Sequence, residues 1–137
     1  MEEIGYTSKD VDGYFVDENN ERLSLRLLCS DTNSARVTCA SQIEDQLNKA
    51  GFEVSASVVS ASDYTSALSN GSFDLYIGEV KLDNSLYFGK ILSNNVIYGF
   101  PNQSDCVSSF KQYYEGTLDI TAAVSSFASE LPFIPIC

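Results

Sequence analysis

The sequence predicts an α/β fold in three layers: a parallel-type sheet with flanking helices. Strand-like and helix-like segments alternate over residues 22–83 in the order β-α-β-α-β, and strands separated in this way join into parallel sheets through right-handed crossovers. With 137 residues, 44% of them hydrophobic and 20% charged, the chain has the size and composition of one globular domain, 1–137. No internal repeat or low-complexity segment argues for more.

A polar, acidic lead-in occupies residues 1–21. Its Asp12-Gly13 and Asn19-Asn20 pairs are turn signals, so we expect loops there rather than a core element. The first strand follows, from Leu23 to Cys29, because apolar and polar residues alternate at its start and its end is continuously apolar. Such a run is typical of a strand in a sheet that is covered on both faces.

The first helix is expected between the N-cap candidates of residues 30–34 and the stop signal Gly51. Its inward positions recur at three- and four-residue spacing: Arg36, Cys39, Ala40, Ile43, Leu47 and Ala50. A second strand follows directly at residues 52–59, where every second residue is apolar or small.

Next, Ser62 is the expected N-cap of a short helix that carries Tyr64 and ends at Asn70-Gly71. The following segment, FDLYIGEV at residues 73–80, is rich in strand-forming residues and predicts a third strand. These elements complete the predicted core.

The last third of the chain divides into a loop region, 84–104, and a helical region, 105–137. The first part is rich in Asn, Ser, Gly and Pro. Helical spacing then returns in two stretches that are separated by Gly116 and an expected N-cap at Thr117: Val107, Phe110 and Tyr114, then Leu118, Ala122, Phe127 and Leu131. Prolines 132 and 135 predict an extended tail.

Composition excludes several classes of partner. The net charge of −11 would repel phosphate backbones, so we expect no nucleic-acid partner. No apolar run is long enough to span a bilayer, and the first residues lack the basic and apolar regions of a signal peptide. A signal that has been removed, or one that belongs to a longer parent protein, is compatible with this start.

Catalytic motifs are also missing from the sequence. Without histidine or a GxSxG motif there is no serine triad, and without a GxGxxG or P-loop motif there is no phosphate cradle. We therefore predict no enzyme, cofactor or metal site. Glu44 and Asp45 are expected on a solvated helix face, and the Asp10-Asp12-Gly13 segment is expected to be an acidic turn, because Ser8 and Asn19 replace two ligands of a calcium loop.

The four cysteines, Cys29, Cys39, Cys106 and Cys137, form no CxxC pair. Buried free thiols are the expected state, since free cysteine is among the most buried residue types. A disulfide between Cys29 and Cys39 stays open as the alternative.

A binding site is expected beyond the carboxyl ends of the strands, where ligands bind to open parallel sheets. Two segments lie there: residues 30–34, which lead into a helix N-terminus, and residues 79–87. Acidic side chains in the second segment suit an ammonium group, although a solvated strand end on an acidic protein is an equal alternative. The expected contacts are Asp31 and Asn33, then Glu79, Lys81, Asp83 and Tyr87.

Beyond these patterns, an N-x-x-R helix start at Asn33 and Arg36, an L-x-x-x-G helix end at Leu47 and Gly51, and the FDL segment follow one another in a fixed order. In this order and spacing the chain resembles the second-lobe core of family 5 extracellular solute-binding proteins, the oligopeptide, dipeptide and nickel receptors of ABC transporters. The LPFIP stretch at 131–135 and the lead-in are similar as well.

The resemblance implies one lobe of a two-lobe, type II periplasmic-binding-protein fold. It implies a non-catalytic parent protein, an extracellular lipoprotein that closes over a solute such as an oligopeptide and delivers it to an ABC permease. Asp83 would correspond to the aspartate that pairs with a peptide's amino group. Val80 and Lys81 stand where peptide-binding relatives often carry a tryptophan, and IGEVKL is closer to a branch common among Gram-positive bacteria.

Two other hypotheses remain at this point. One is a self-contained, flavodoxin-like signalling or enzymatic domain, which requires a phosphate-binding or acidic pocket within this chain. The other is a lobe that binds no solute and serves as a docking surface.

Overall fold

The computed structural model describes residues 4–79, 105–130, 134 and 136. The chain consists of two compact units, Met1–Gly78 and Glu79–Cys137. The predicted loop region 84–104 and most of the predicted tail lie outside the described residues. The elements in chain order are β1 (Ser8–Lys9), β2 (Phe15–Val16), β3 (Ser24–Ser30), α1 (Ser34–Ala50), β4 (Glu53–Val59), α2 (Ala61–Asn70), β5 (Leu75–Tyr76), α3 (Asp105–Tyr114) and α4 (Ile120–Glu130).

A parallel sheet of three strands forms the centre of the first unit, in the order β4-β3-β5. Leu25 pairs with Val54 on one side of β3, and Leu27 pairs with Leu75 on the other. The chain passes from β3 through α1 to β4 on one side, and then from β4 through α2 to β5 on the other side of β3. Because such crossovers are right-handed and these two run in opposite directions, α1 and α2 lie on opposite faces of the sheet. The predicted α/β class is confirmed.

Helix α1 has both of the predicted end signals. The Asn33 side chain accepts hydrogen bonds from the backbone N–H groups of Ala35 and Arg36, which satisfies two of the free donors at the helix start. Gly51 ends the helix with φ 104°, a left-handed conformation that favours glycine. A side chain at this position would also come within 2.8 Å of the Gly13 carbonyl oxygen.

The core of the first unit lies between α1 and one face of the sheet. Alternate residues of β3 and β4 point toward the helix, as the period-two pattern predicted. The buried members of this cluster are Leu27, Cys29, Ala40, Val54 and Ile77. Burial of an aliphatic side chain of this size contributes about 1.5–3 kcal/mol, so this layer is the main source of the unit's stability.

Two details of the predicted core were wrong. The N-cap of α2 is Ser60, which accepts a hydrogen bond from the Asp63 N–H, and not Ser62, because β4 ends at Val59 and the helix begins at Ala61. The third strand was predicted at 73–80; within the described part of that range, 73–79, only Leu75–Tyr76 pairs with β3 as a strand, although the Ile77 N–H still donates to the Leu28 carbonyl oxygen.

The lead-in is more ordered than the predicted loops. Strands β1 and β2 form an antiparallel hairpin, Val16 is buried, and the rings of Phe15 and Phe52 lie 5.3 Å apart. Arg22 forms ion pairs with Asp10, Asp12 and Glu53. These contacts join the lead-in to the start of β4.

In the second unit, α3 and α4 pack against each other around Cys106, Phe110 and Ala123. The predicted inward position Ala122 is exposed and Ala123 is buried instead, and Tyr114 is exposed as well. The predicted Thr117 cap was also wrong. Its hydroxyl donates to the Gln112 carbonyl oxygen, whereas the Asp119 carboxylate accepts the Thr121 N–H at 2.7 Å.

The cysteines described, Cys29, Cys39 and Cys106, are free thiols. No helix within the described ranges is both long and apolar enough to cross a membrane.

Candidate functional site

The carboxyl ends of the three parallel strands meet at one edge of the sheet. The Asp31 N–H donates to the Val59 carbonyl oxygen at 2.9 Å, which ties the end of β3 to the end of β4. On the other side, Leu28 pairs with Tyr76, so the register brings Gly78 level with Ser30. The residues that follow these strand ends therefore belong to one edge of the sheet, as the sequence predicted.

The loop after β3 presents one free carboxylate at this edge. Asp31 is exposed, and its carboxylate forms no hydrogen bond or ion pair with another residue that the structure describes. Ser30 beside it is only 5% exposed, and its hydroxyl lies 3.1 Å from that of Thr32. Asp31 is therefore available for a ligand, whereas Ser30 and Thr32 shape the loop.

Asn33 has a structural task at this edge. Its amide oxygen already accepts the N–H groups of Ala35 and Arg36, at 2.9 and 3.3 Å. The expected ability of this helix N-terminus to receive a negative group is therefore reduced, because two of its donors are satisfied within the chain.

The exit of β5 is held by a contact that the sequence did not reveal. The hydroxyl of Tyr64 on α2 donates to the Ile77 carbonyl oxygen at 2.8 Å. At Gly78 a side chain would come within 2.8 Å of the Tyr76 ring, so that ring would have to move to make room for it. The sequence did not predict the Tyr64 bond, because a tyrosine on a helix carries no local signal for a distant carbonyl partner.

Two groups near this edge, the buried Cys29 thiol and the half-buried Tyr64 phenol, are neutral. Burial raises the pKa of the Cys29 thiol and of the Tyr64 phenol, and the positive charge of Arg36 offsets only part of each shift. Neither group is an activated nucleophile at neutral pH, since nucleophilic cysteines need a lowered pKa.

The six expected contact residues are placed as follows. Asp31 and Asn33 lie together in the β3–α1 loop, and Glu79 is exposed, three residues beyond β5. Lys81, Asp83 and Tyr87 lie outside the described residues.

Away from this edge, a recess lies beside the start of β3 and the middle of β4. It is an open concavity of 480 Å³ in which the Asp74 carboxylate accepts the backbone N–H of Arg26 at 2.7 Å. The polar side chains that line this recess could have been predicted from the sequence, since alternate residues of β3 and β4 are polar and therefore share one face of the sheet. It is lined by Ser24, Leu25, Arg26, Glu53, Ser55, Ala56, Ser57 and Asp74.

The acidic turn of the lead-in is bound by an arginine. One Asp10 carboxylate oxygen accepts the N–H groups of Asp12 and Tyr14, and the other bonds to Arg22. Within the described ranges, no cluster of three His, Cys, Asp or Glu side chains is arranged to hold a metal ion.

Comparison with solved structures shows what this fold is similar to. Mannohexaose-bound oligopeptide-binding protein of Thermotoga maritima matches 98% of the chain with a TM-score of 0.71 and 19% identity. NikA of Brucella suis, in complex with Fe(III)-EDTA, matches 93% with a TM-score of 0.69 and 18% identity. AppA of Bacillus subtilis, an oligopeptide-binding protein in complex with a nonapeptide, matches 93% with a TM-score of 0.62 and 18% identity.

The chain spans only about a quarter of each of these proteins: 28%, 27% and 26% of their lengths. Among curated proteins, a probable ABC transporter-binding protein of Deinococcus radiodurans is 29% identical over 68 residues, which are 50% of this chain and 11% of that protein. No model of a protein family matches the chain. The fold is thus that of one part of a periplasmic-binding-protein-like structure.

Proposed function

We propose that this chain is part of the solute-binding protein of an ABC importer, that it forms one wall of the solute cleft, and that it is not catalytic. The observation that carries the proposal is the fold likeness, over 93–98% of the chain, to three proteins with different bound molecules. The rival flavodoxin-like domain has no phosphate-binding loop in the sequence and is not favoured by these likenesses.

The edge at the carboxyl ends of the strands is the proposed wall. Asp31 is exposed there with a free carboxylate, and Glu79 is exposed after β5. We assign Lys81, Asp83 and Tyr87 to the same wall from their position in the sequence, and Asn33 to the shape of the loop. A surplus of carboxylates favours a solute with a cationic group, such as the amino group of an oligopeptide.

The proposed mechanism is closure of two lobes over the solute. Solute contacts made by both lobes stabilise the closed state, and a membrane permease then binds that state. The parent protein would accordingly be extracellular and held at the membrane, with the permease as its partner.

The full-length parent protein is the material for the test. A thermal-shift screen with oligopeptides and oligosaccharides identifies the solute, and isothermal titration calorimetry then gives its affinity. For a cationic solute, Asp83→Asn should weaken binding by about 1.5–3 kcal/mol, because one charge-assisted hydrogen bond is lost.

Asp45→Asn is the matched control, since Asp45 is an exposed carboxylate on α1, away from the strand ends. It should leave the affinity unchanged. If no solute raises the melting temperature of the full-length protein, the binding role itself is wrong. If a cationic solute binds and Asp83→Asn has no effect, only the assignment of Asp83 is wrong.

A further inference from the structure

The outer edge of β4 carries contacts that neither the fold nor the proposed function explains. In the described part of the sheet, β4 is an edge strand of seven residues with no proline and no lysine. An edge strand of this kind exposes backbone N–H and C=O groups that can pair with a strand of another chain. Proteins usually block such edges with charges, prolines, bulges or a covering element.

Two side chains of α1 occupy these backbone groups. The Asn48 amide donates to the Val54 carbonyl oxygen at 2.9 Å, and its oxygen accepts the Val54 N–H at 3.1 Å. One turn earlier, the Glu44 carboxylate accepts the Ala56 N–H at 3.0 Å. Asn48 therefore forms with Val54 the same pair of hydrogen bonds that a residue of a neighbouring strand would form.

We propose that Glu44 and Asn48, the edge-capping pair, close β4 against strand pairing with a second copy of this chain. The inference is independent of the proposed function, because it depends only on contacts within the first unit. It also gives Glu44 a task that the sequence did not reveal, since the helix position alone indicated a solvated carboxylate.

A second copy is the partner that the uncapped edge would fit. Two identical edges pair antiparallel about a twofold axis, and with Ala56 on that axis, Val54 lies opposite Val58 of the other copy. The same register places Ser55 opposite Ser57 and Glu53 opposite Val59, so no like charges meet. Val58 is already 44% exposed, which leaves this end of the edge accessible.

The test removes the pair and measures the mass of the 137-residue chain in solution. Glu44→Ala with Asn48→Ala should convert the 15.0 kDa chain to a species of twice that mass in size-exclusion chromatography with light scattering. Alanine maintains the helix, since it has the highest helix propensity. Asp45→Ala with Gln46→Ala is the matched control, because it removes one carboxylate and one amide, as the uncapped variant does, but from exposed positions. The control should remain a monomer.

Val58→Lys, added to the uncapped variant, should restore the monomer, because an edge lysine opposes strand pairing. A folded uncapped variant that stays monomeric overturns the proposal, and so does association that Val58→Lys does not reverse. Amide hydrogen exchange of the unmodified chain provides a test that needs no variant. The Val54 and Ala56 amides should exchange much more slowly than the Val58 amide, and equal rates would also refute the capping.

Discussion

Tyr64 shows how one hydroxyl can hold the end of a strand. Strand β5 has only two residues in its ladder, so its exit has little support from backbone pairing. The Tyr64 hydrogen bond to the Ile77 carbonyl oxygen, together with the bond from the Ile77 N–H to Leu28, fixes both backbone groups of Ile77. The backbone position of Ile77 is therefore fixed in part by a residue of α2.

We expect Tyr64→Phe to reduce the free energy of unfolding by about 1 kcal/mol, the usual net value of one hydrogen bond, because the phenyl ring still fills the same space. Urea unfolding followed by circular dichroism measures the change. Tyr113→Phe, at an exposed position of α3, is the control and should have no measurable effect. Equal stability of both variants would mean that the Tyr64 bond contributes nothing.

At the scale of elements, α3 and α4 depend on one small apolar cluster. Phe110 is buried beside Cys106 and Ala123, and its ring meets the ring of Phe127 edge to face at 6.5 Å. Burial raises the pKa of Cys106 to about 11, as expected of a thiol in an apolar environment. No other buried residue is described in this pair of helices, so each buried side chain matters.

Phe110→Ala should therefore destabilise this helix pair by about 3–5 kcal/mol, through lost burial and the cavity that remains. Hydrogen exchange read by mass spectrometry should show faster exchange in peptides from residues 105–130. Lys111→Ala, at the exposed neighbouring position, is the control and should leave that exchange unchanged. Unchanged protection in Phe110→Ala would contradict the assigned core.

At the scale of the whole molecule, acid should weaken the fold through a few carboxyl groups. Hydrogen bonds from the Glu21 N–H to Asp17, from the Ser24 hydroxyl to Glu53 and from Thr121 to Asp119 lower the pKa values of these carboxyls. Partial burial raises the pKa of Asp10, but hydrogen bonds from Tyr14, Arg22 and Asp12 lower it by a larger amount. The net pKa of Asp10 is therefore below its ordinary value of 3.8.

Because these pKa values are lowered in the folded chain, the unfolded chain binds more protons at acid pH. The stability that these groups provide is present above their ordinary values of 3.8 and 4.5 and should be lost as pH falls below them. Urea unfolding at a series of pH values tests this. Arg22→Gln should flatten the acid dependence, whereas Arg26→Gln, an equal charge change at an exposed arginine, should not.

The element order and the strong signals at the ends of α1 could be predicted from sequence, because they depend on local chemistry. Asn33 is a capping residue next to a periodic apolar face, and Gly51 is the residue that a left-handed turn favours. The caps at Ser60 and Asp119 were missed, because several serines, threonines and aspartates compete there and only the exact end of the preceding element selects one.

The α/β class, the β-α-β-α-β order and the edge where the parallel strands end all follow from the sequence alone. Periodicity and turn residues act over a few positions, and parallel strands oblige their carboxyl ends to meet. Only the tertiary structure showed that Asn33 is occupied as a cap, that Tyr64 holds Ile77, and that Asn48 pairs with Val54. The last two are hydrogen bonds between groups on different elements, whose partners are fixed by packing and leave no local pattern in the chain.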